Sequence, residues 1–167
     1  MPDQGPVVAN AGPLIVLAAV GQLDLVGRLY GEALVPEAVF QEITAAGAGR
    51  PGATELPAAT WAVRTPVDPP PDARVGEDLG RGETEAITLA VRCGARLILL
   101  DDRRARQVAR VTYGLRVKGA PGVLVAAKKA GFLPSVGPFL EQMRAKGYFL
   151  APAVVERALR EAGESVV

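Results

Sequence analysis

No histidine occurs among the 167 residues. That removes Ser-His triads, histidine general bases and histidine-ligated zinc, and leaves carboxylates as the main catalytic groups. There is one cysteine, so Cys93 has no internal disulfide partner; it reads as a small core residue in a reducing, cytoplasmic setting. An excess of one charge is also missing. Lys and Arg number 19 against 18 acids, a net charge of +1, which offers no global basic field for nucleic acid and leaves that role to a local arginine cluster. The apolar run Leu14 to Val20 is too short to span a bilayer, and Met1-Pro2-Asp3-Gln4 lacks the basic start of a signal peptide, so no membrane partner is expected. What is present, 49% hydrophobic and 22% charged residues, suits one soluble domain over residues 1–167 with a real core.

The chain is organised around Arg96-Leu97-Ile98-Leu99-Leu100-Asp101-Asp102-Arg103. A continuous apolar run of strand length after Gly94 reads as a strand buried on both faces. Two acids arrive where it should surface, and Arg103-Arg104-Ala105-Arg106 opens a helix extending to about Thr112. Ligands of open α/β sheets collect at the carboxyl ends of strands. Adjacent carboxylates there repel each other unless a cation compensates, although Asp102 also reads simply as an N-cap.

Other segments repeat the pattern. Pro6 to Asn10 is a first strand, followed by a helix from Leu14 to Ala19 with Pro13 in its first turn. A short helix ends at Gly31, Ala33-Leu34-Val35 is a second strand, and Pro36-Glu37 opens a helix with Val39, Phe40 and Ile43 on its apolar face. Ala45 to Thr60, rich in Ala, Gly and Pro, reads as a mobile surface loop, and Trp61-Ala62-Val63 as an edge strand. A helix spans Glu83 to Val91, a strand Leu115 to Val117, and Gly119 to Gly122 is a turn into a helix from Val123 to Ala130. Two more helices, about 136–162, complete the same domain, with Gly163 to Val167 frayed. Alternating strands and helices predict a three-layer α/β/α sandwich with a mostly parallel central sheet.

Acids are the candidate ligands. Glu83 and Glu85 lie two apart, so they share no helix face yet could straddle a first turn. Taken singly, Glu83 is better explained by its place near a helix N-terminus, and Glu42 by a solvated face. Hard cations take oxygen ligands, often one or two carboxylates completed by water.

Four segments taken in order resemble the PIN-domain family, on a branch related to the VapC-like toxin ribonucleases of bacterial and archaeal toxin–antitoxin pairs. They are Val8-Ala9-Asn10-Ala11-Gly12-Pro13-Leu14-Ile15, Val35 to Ile43, Gly82-Glu83-Thr84-Glu85-Ala86-Ile87, and Leu100 to Arg106. Gly119 to Leu124 and Ala126 to Gly131 are similar to that branch too. The resemblance implies a ribonuclease dependent on Mg²⁺ or Mn²⁺, acting on RNA, paired with a small antitoxin protein and forming a homodimer. Position by position, it assigns metal ligation to Asn10, Glu42, Glu83, Glu85, Asp101 and Asp102, with Glu83, Asp101 and Asp102 as the catalytic acids. Asn10 stands where the wider family carries Asp, and offers a neutral carbonyl oxygen. Arg103, Arg104 and Arg106 are candidate RNA contacts, or else a solvated face whose stems cover apolar surface. The neutral Asn10 also keeps open a catalytically weak module that binds RNA or protein. A phosphoacceptor receiver, suggested by the Asp pair and Lys118, fits poorly because receivers carry their acid pair after the first strand.

Overall fold

The computed structural model describes residues 4–166; the amino-terminal reading over Met1–Asp3 and the fraying of Val167 lie outside the described residues. Five strands, β1 (Val7–Ala9), β2 (Ala33–Pro36), β3 (Ala62–Thr65), β4 (Leu97–Leu99) and β5 (Val117–Lys118), form an all-parallel sheet in the order β3-β2-β1-β4-β5. Successive strand side chains face opposite ways. Val7, Ala9, Val35 and Leu99 therefore enter one hydrophobic cluster, while Val8, Ile98 and Leu100 enter a second on the other face. Both faces are covered at the central strands β2, β1 and β4, which is why those strands read as unbroken apolar runs.

Topology sorts the helices into layers. From β1 the chain winds outward through α1 (Ala11–Ala19), α2 (Leu25–Tyr30), β2, α3 (Glu37–Ala45) and α4 (Glu55–Ala58) to β3. It then returns through α5 (Arg81–Cys93) to β4 on the far side of β1, and through α6 (Arg103–Gln107) to β5. Right-handed crossovers in opposite directions put their helices on opposite faces. Accordingly α1 to α4 join the first cluster, with α7 (Ala120–Lys129), α8 (Gly137–Ala145) and α9 (Pro152–Glu161), whereas α5 and α6 cover the second. The winding reverses between β1 and β4, the topological switch point at which α/β sheets bind ligands. Ala9 pairs with Leu99, and the Asn10 N–H donates to the Leu99 carbonyl at 3.0 Å, so Asn10 and the Asp101-Asp102 pair emerge at that crevice.

Several boundaries depart from the sequence reading. The segment Ala45 to Thr60 is not simply a surface loop: α4 drives Leu56 into the core at 1% exposure, and Ala53 is buried beside it. One large apolar side chain, Leu56, anchors an otherwise Gly- and Pro-rich stretch. Residues Gly119 to Gly122 are not a turn either. Helix α7 begins at Ala120 with Gly119 as its extended N-cap, and Pro121 sits in the first turn, where its missing N–H costs nothing. The arginine-rich helix is regular only to Gln107 and then widens into a π-helical turn over Val108–Thr112. The carboxyl-terminal segment does not fray at Gly163. Glu164 accepts from the Val136 and Gly137 N–H groups at 2.7 and 2.9 Å and pairs with Lys128 at 3.0 Å, closing the start of α8.

Candidate active site

Asn10 follows β1 and takes the N-cap position of α1, yet its side chain makes no capping hydrogen bond. The residue is buried at 5% exposure, and its Oδ1 has no hydrogen-bond partner. A buried unsatisfied acceptor costs roughly 1–3 kcal/mol, so this oxygen marks a place where a partner is wanted. It opens onto a cavity of about 560 Å³ lined by Asn10, Gly12, Gln41, Glu42, Gly80, Arg81, Gly82, Glu83 and Asp102.

The absent side chain of Gly82 shapes this cavity. A Cβ there would stand 3.1 Å from Glu42 Oε2, 3.3 Å from Val39 Cγ2 and 3.4 Å from Asn10 Oδ1. Two oxygens thus converge on a gap that even a methyl group would fill. Glu42 is exposed as a residue, but its carboxyl turns inward; partial burial and then the neighbouring Glu83 push its pKa up. Glu83 lies in the first turn of α5, where Oε2 accepts from the Gly80 N–H at 2.8 Å and one oxygen is left for other work. Asp102 caps α6 in the same way, through Oδ1 and the Ala105 N–H at 2.8 Å. Asp102 is therefore an N-cap and Glu83 the third-position partner of the N-cap residue Gly80, and both line the cavity at once.

Asp101 lies behind this group. Its Oδ1 accepts from the Ala120 N–H at the start of α7 at 2.9 Å. A Cβ on Gly12 would sit 3.4 Å from Asp101 Cβ and 3.9 Å from Oδ2, so the second oxygen borders the first turn of α1. Burial pushes its pKa up, opposed by the Ala120 N–H and the Arg106 guanidinium. Glu85 is drawn elsewhere. Its buried carboxylate accepts from the Ala38 N–H at 3.1 Å and from Arg81 Nε at 3.3 Å, fastening α5 to the start of α3 and lining a neighbouring cavity. Two residues along a helix are about 200° apart, which turns Glu83 and Glu85 to different cavities.

The three candidate arginines diverge likewise. Arg103 is exposed, Arg104 pairs with Asp78 at 3.5 Å, and Arg106 is half-buried beside Asp101. Sequence reasoning passed over Arg81 and carried Gly82 only as the opening residue of the third motif, yet both are on the cavity wall.

A divalent ion fits this donor set in one form. Among the described residues no three of the Asp, Glu or Cys side chains are grouped tightly enough to enclose an ion. The convergence of Asn10 Oδ1 and Glu42 Oε2, with Glu83 and Asp102 on the same wall, suits a hard cation held by few protein oxygens and completed by water.

The sequence profile of a family described as PIN domain matches residues 6–164. No curated protein and no solved structure matches the chain significantly. Among the described residues no helix is long and apolar enough to cross a membrane.

Proposed function

This chain belongs to the PIN-domain family, and on that premise we propose that it is an endoribonuclease dependent on Mg²⁺ or Mn²⁺, working at the cavity between β1 and β4. Family membership supports a nuclease in general. The single observation that carries the finer reading is the buried, unpartnered Asn10 Oδ1 facing the Glu42 carboxyl across the gap left by Gly82. Asn10, Glu42, Glu83 and Asp102 would hold the ion, which when bound lowers the pKa of a water and offsets charge on the scissile phosphate.

The chain's own groups divide the remaining work. Glu83 and Asp102 each commit one oxygen to a helix N-terminus, which fixes the carboxylate plane and leaves the other oxygen to orient water. Asp101 positions the edge from behind, joining the starts of α1 and α7. Glu85 holds α3, and therefore Glu42, in place against α5. Arg103, on the exposed start of α6, is available to the RNA backbone. A toxin role, with a small antitoxin protein and a homodimeric assembly, completes the proposal; it is supported by the order of the four sequence motifs.

Calorimetric titration with Mn²⁺, run beside cleavage of a single-stranded RNA, tests this reading. The Glu42→Gln, Asp102→Asn double variant is expected to lose Mn²⁺ binding and cleavage together. Parent-like Mn²⁺ affinity in that variant would refute the site. The neutral Asn10 favours a second reading, an RNA- or protein-binding module with little cleavage, which predicts RNA binding but no product at saturating Mn²⁺.

A further inference from the structure

One strand over from the proposed site, the same sheet edge carries the opposite charge. Arg106, Arg110, Lys118 and Arg157 line a cleft of about 130 Å³ between α6, β5, α7 and α9. Lys129 adds to the field felt by Lys118; the carboxylate on the cleft wall is Glu161, paired with Arg157 at 2.8 Å, and Asp101 faces Arg106 from beneath the floor. The cleft floor is kept open by two glycines. A Cβ on Gly119 would fall 2.5 Å from Asp101 Oδ1 and 3.3 Å from Arg106 Nη1, and one on Gly122 would fall 2.5 Å from Lys118 Cγ.

Bringing like charges together costs free energy unless an anion joins them. Burial and the nearby Lys129 push the Lys118 pKa down, and burial and Arg110 do the same to Arg106. Arg157 is 71% exposed along its side chain and is held at the cleft by its pair with Glu161 rather than by packing. The cleft is far smaller than the roughly 300–1,000 Å³ typical of small-molecule pockets, and suits a phosphate with its waters. Planar guanidinium forks match phosphate oxygens two at a time. The Leu100 N–H donates to the Lys118 carbonyl at 3.0 Å, so this cleft and the acid-lined cavity lie on adjacent strand ends, about 4.8 Å per strand step apart.

We propose that the cleft formed by Arg106, Arg110, Lys118 and Arg157 clamps an internal phosphodiester of the same RNA strand whose neighbouring linkage reaches the acids. The proposal rests on the ribonuclease reading for the identity of the strand, and the cleft is reached by its backbone rather than its bases. An acidic peptide would bring carboxylates on flexible stems, without the regular anion spacing that a strand crossing the edge supplies.

The test is fluorescence anisotropy of a labelled 12-nucleotide single-stranded RNA in EDTA, titrated across salt concentrations. Lys118→Gln and the Arg110→Gln, Arg157→Gln double variant are compared with the parent. Arg144→Gln, which removes a charge from α8 away from the cleft, is the control, and melting temperatures confirm folding. The double variant is expected to bind at least tenfold more weakly at low salt, with the log–log salt slope reduced by about 0.7 for each phosphate no longer neutralised. The control should retain the parent slope. An unchanged slope in both cleft variants overturns the proposal, as does a requirement for a 5′-phosphate on the oligonucleotide, or equal binding of a polyglutamate peptide. Mn²⁺ calorimetry on the same proteins separates the two readings. Parent-like Mn²⁺ binding with no change in RNA slope removes the cleft alone, whereas a reduced slope without any Mn²⁺ binding in the parent removes the metal site alone.

Discussion

Replacing Gly82 by alanine sets stability against function. Gly82 is helical in the first turn of α5, so its backbone accepts alanine, and the swap gains up to about 1 kcal/mol in helix propensity. The new methyl would sit 3.1 Å from Glu42 Oε2 and 3.4 Å from Asn10 Oδ1, in the gap assigned to the ion, and 3.3 Å from Val39 Cγ2. Neighbours must give by a few tenths of an ångström, which offsets part of the helix gain and leaves stability without metal near that of the parent. Metal binding should fall at least tenfold, because the methyl occupies the space between two donor oxygens. The consequence is readable by melting. At Mn²⁺ one hundred times its Kd, binding stabilises the parent by about 2.7 kcal/mol, and a tenfold weaker site by about 1.4 kcal/mol. At roughly 2–4 °C per kcal/mol for a chain of this size, the Mn²⁺-induced rise in Tm should drop from about 5–11 °C to about 3–6 °C. Equal Mn²⁺ affinity by calorimetry in both proteins would refute the assignment of that gap to the ion.

Glu85→Gln should lower stability by about 1–3 kcal/mol, since it weakens the bonds to the Ala38 N–H and Arg81, yet leave Mn²⁺ affinity unchanged; denaturant midpoints and calorimetry read the two effects separately. Leu56→Ala should cost about 2–5 kcal/mol in chemical unfolding, where a surface-loop residue would cost almost nothing. Burial raises the Tyr30 pKa from 10.0 to about 12, so its contribution to stability is complete below pH 10 and is lost as pH rises toward 12. Allowing for partial exposure the loss is at most about 2 kcal/mol, and urea midpoints of Tyr30→Phe, which has no phenol to ionise, should fall less than those of the parent over that interval.

What the sequence made legible followed from one-dimensional regularities. The apolar run before Asp101 could only be a strand buried on both faces, and acids at its end had to surface at the carboxyl edge. Glu83 read as a helix-start acid, and the structure places it there. What stayed hidden depended on rotation and distance. Glu83 and Glu85 look like a pair, but the helical turn sends one to the cavity and the other to the start of α3. The run of arginines likewise divides, with Arg104 going to Asp78 and Arg106 toward Asp101. Gly82 carried little signal, because the value of a missing Cβ depends on Asn10 and Glu42, which approach from two other segments. The helical turn around Leu56 and the anchoring of Glu164 were obscured by composition, since single residues hold them against weak local preferences.

The pairing of β1 with β4 has a consequence for how the chain matures. Val8 meets Ile98 about ninety residues after it is made. At roughly 5–20 residues per second of synthesis, β1 waits several seconds or more for its second neighbour. During that interval it has β2 on one side and a bare hydrogen-bonding edge on the other, an invitation to foreign strands that its three-residue length limits. Arrival of β4 closes that edge and delivers Asp101 and Asp102 beside Asn10 in the same event. The cavity is therefore a product of the longest-range closure of the sheet, and an incomplete chain ending before β4 has no such cavity to use.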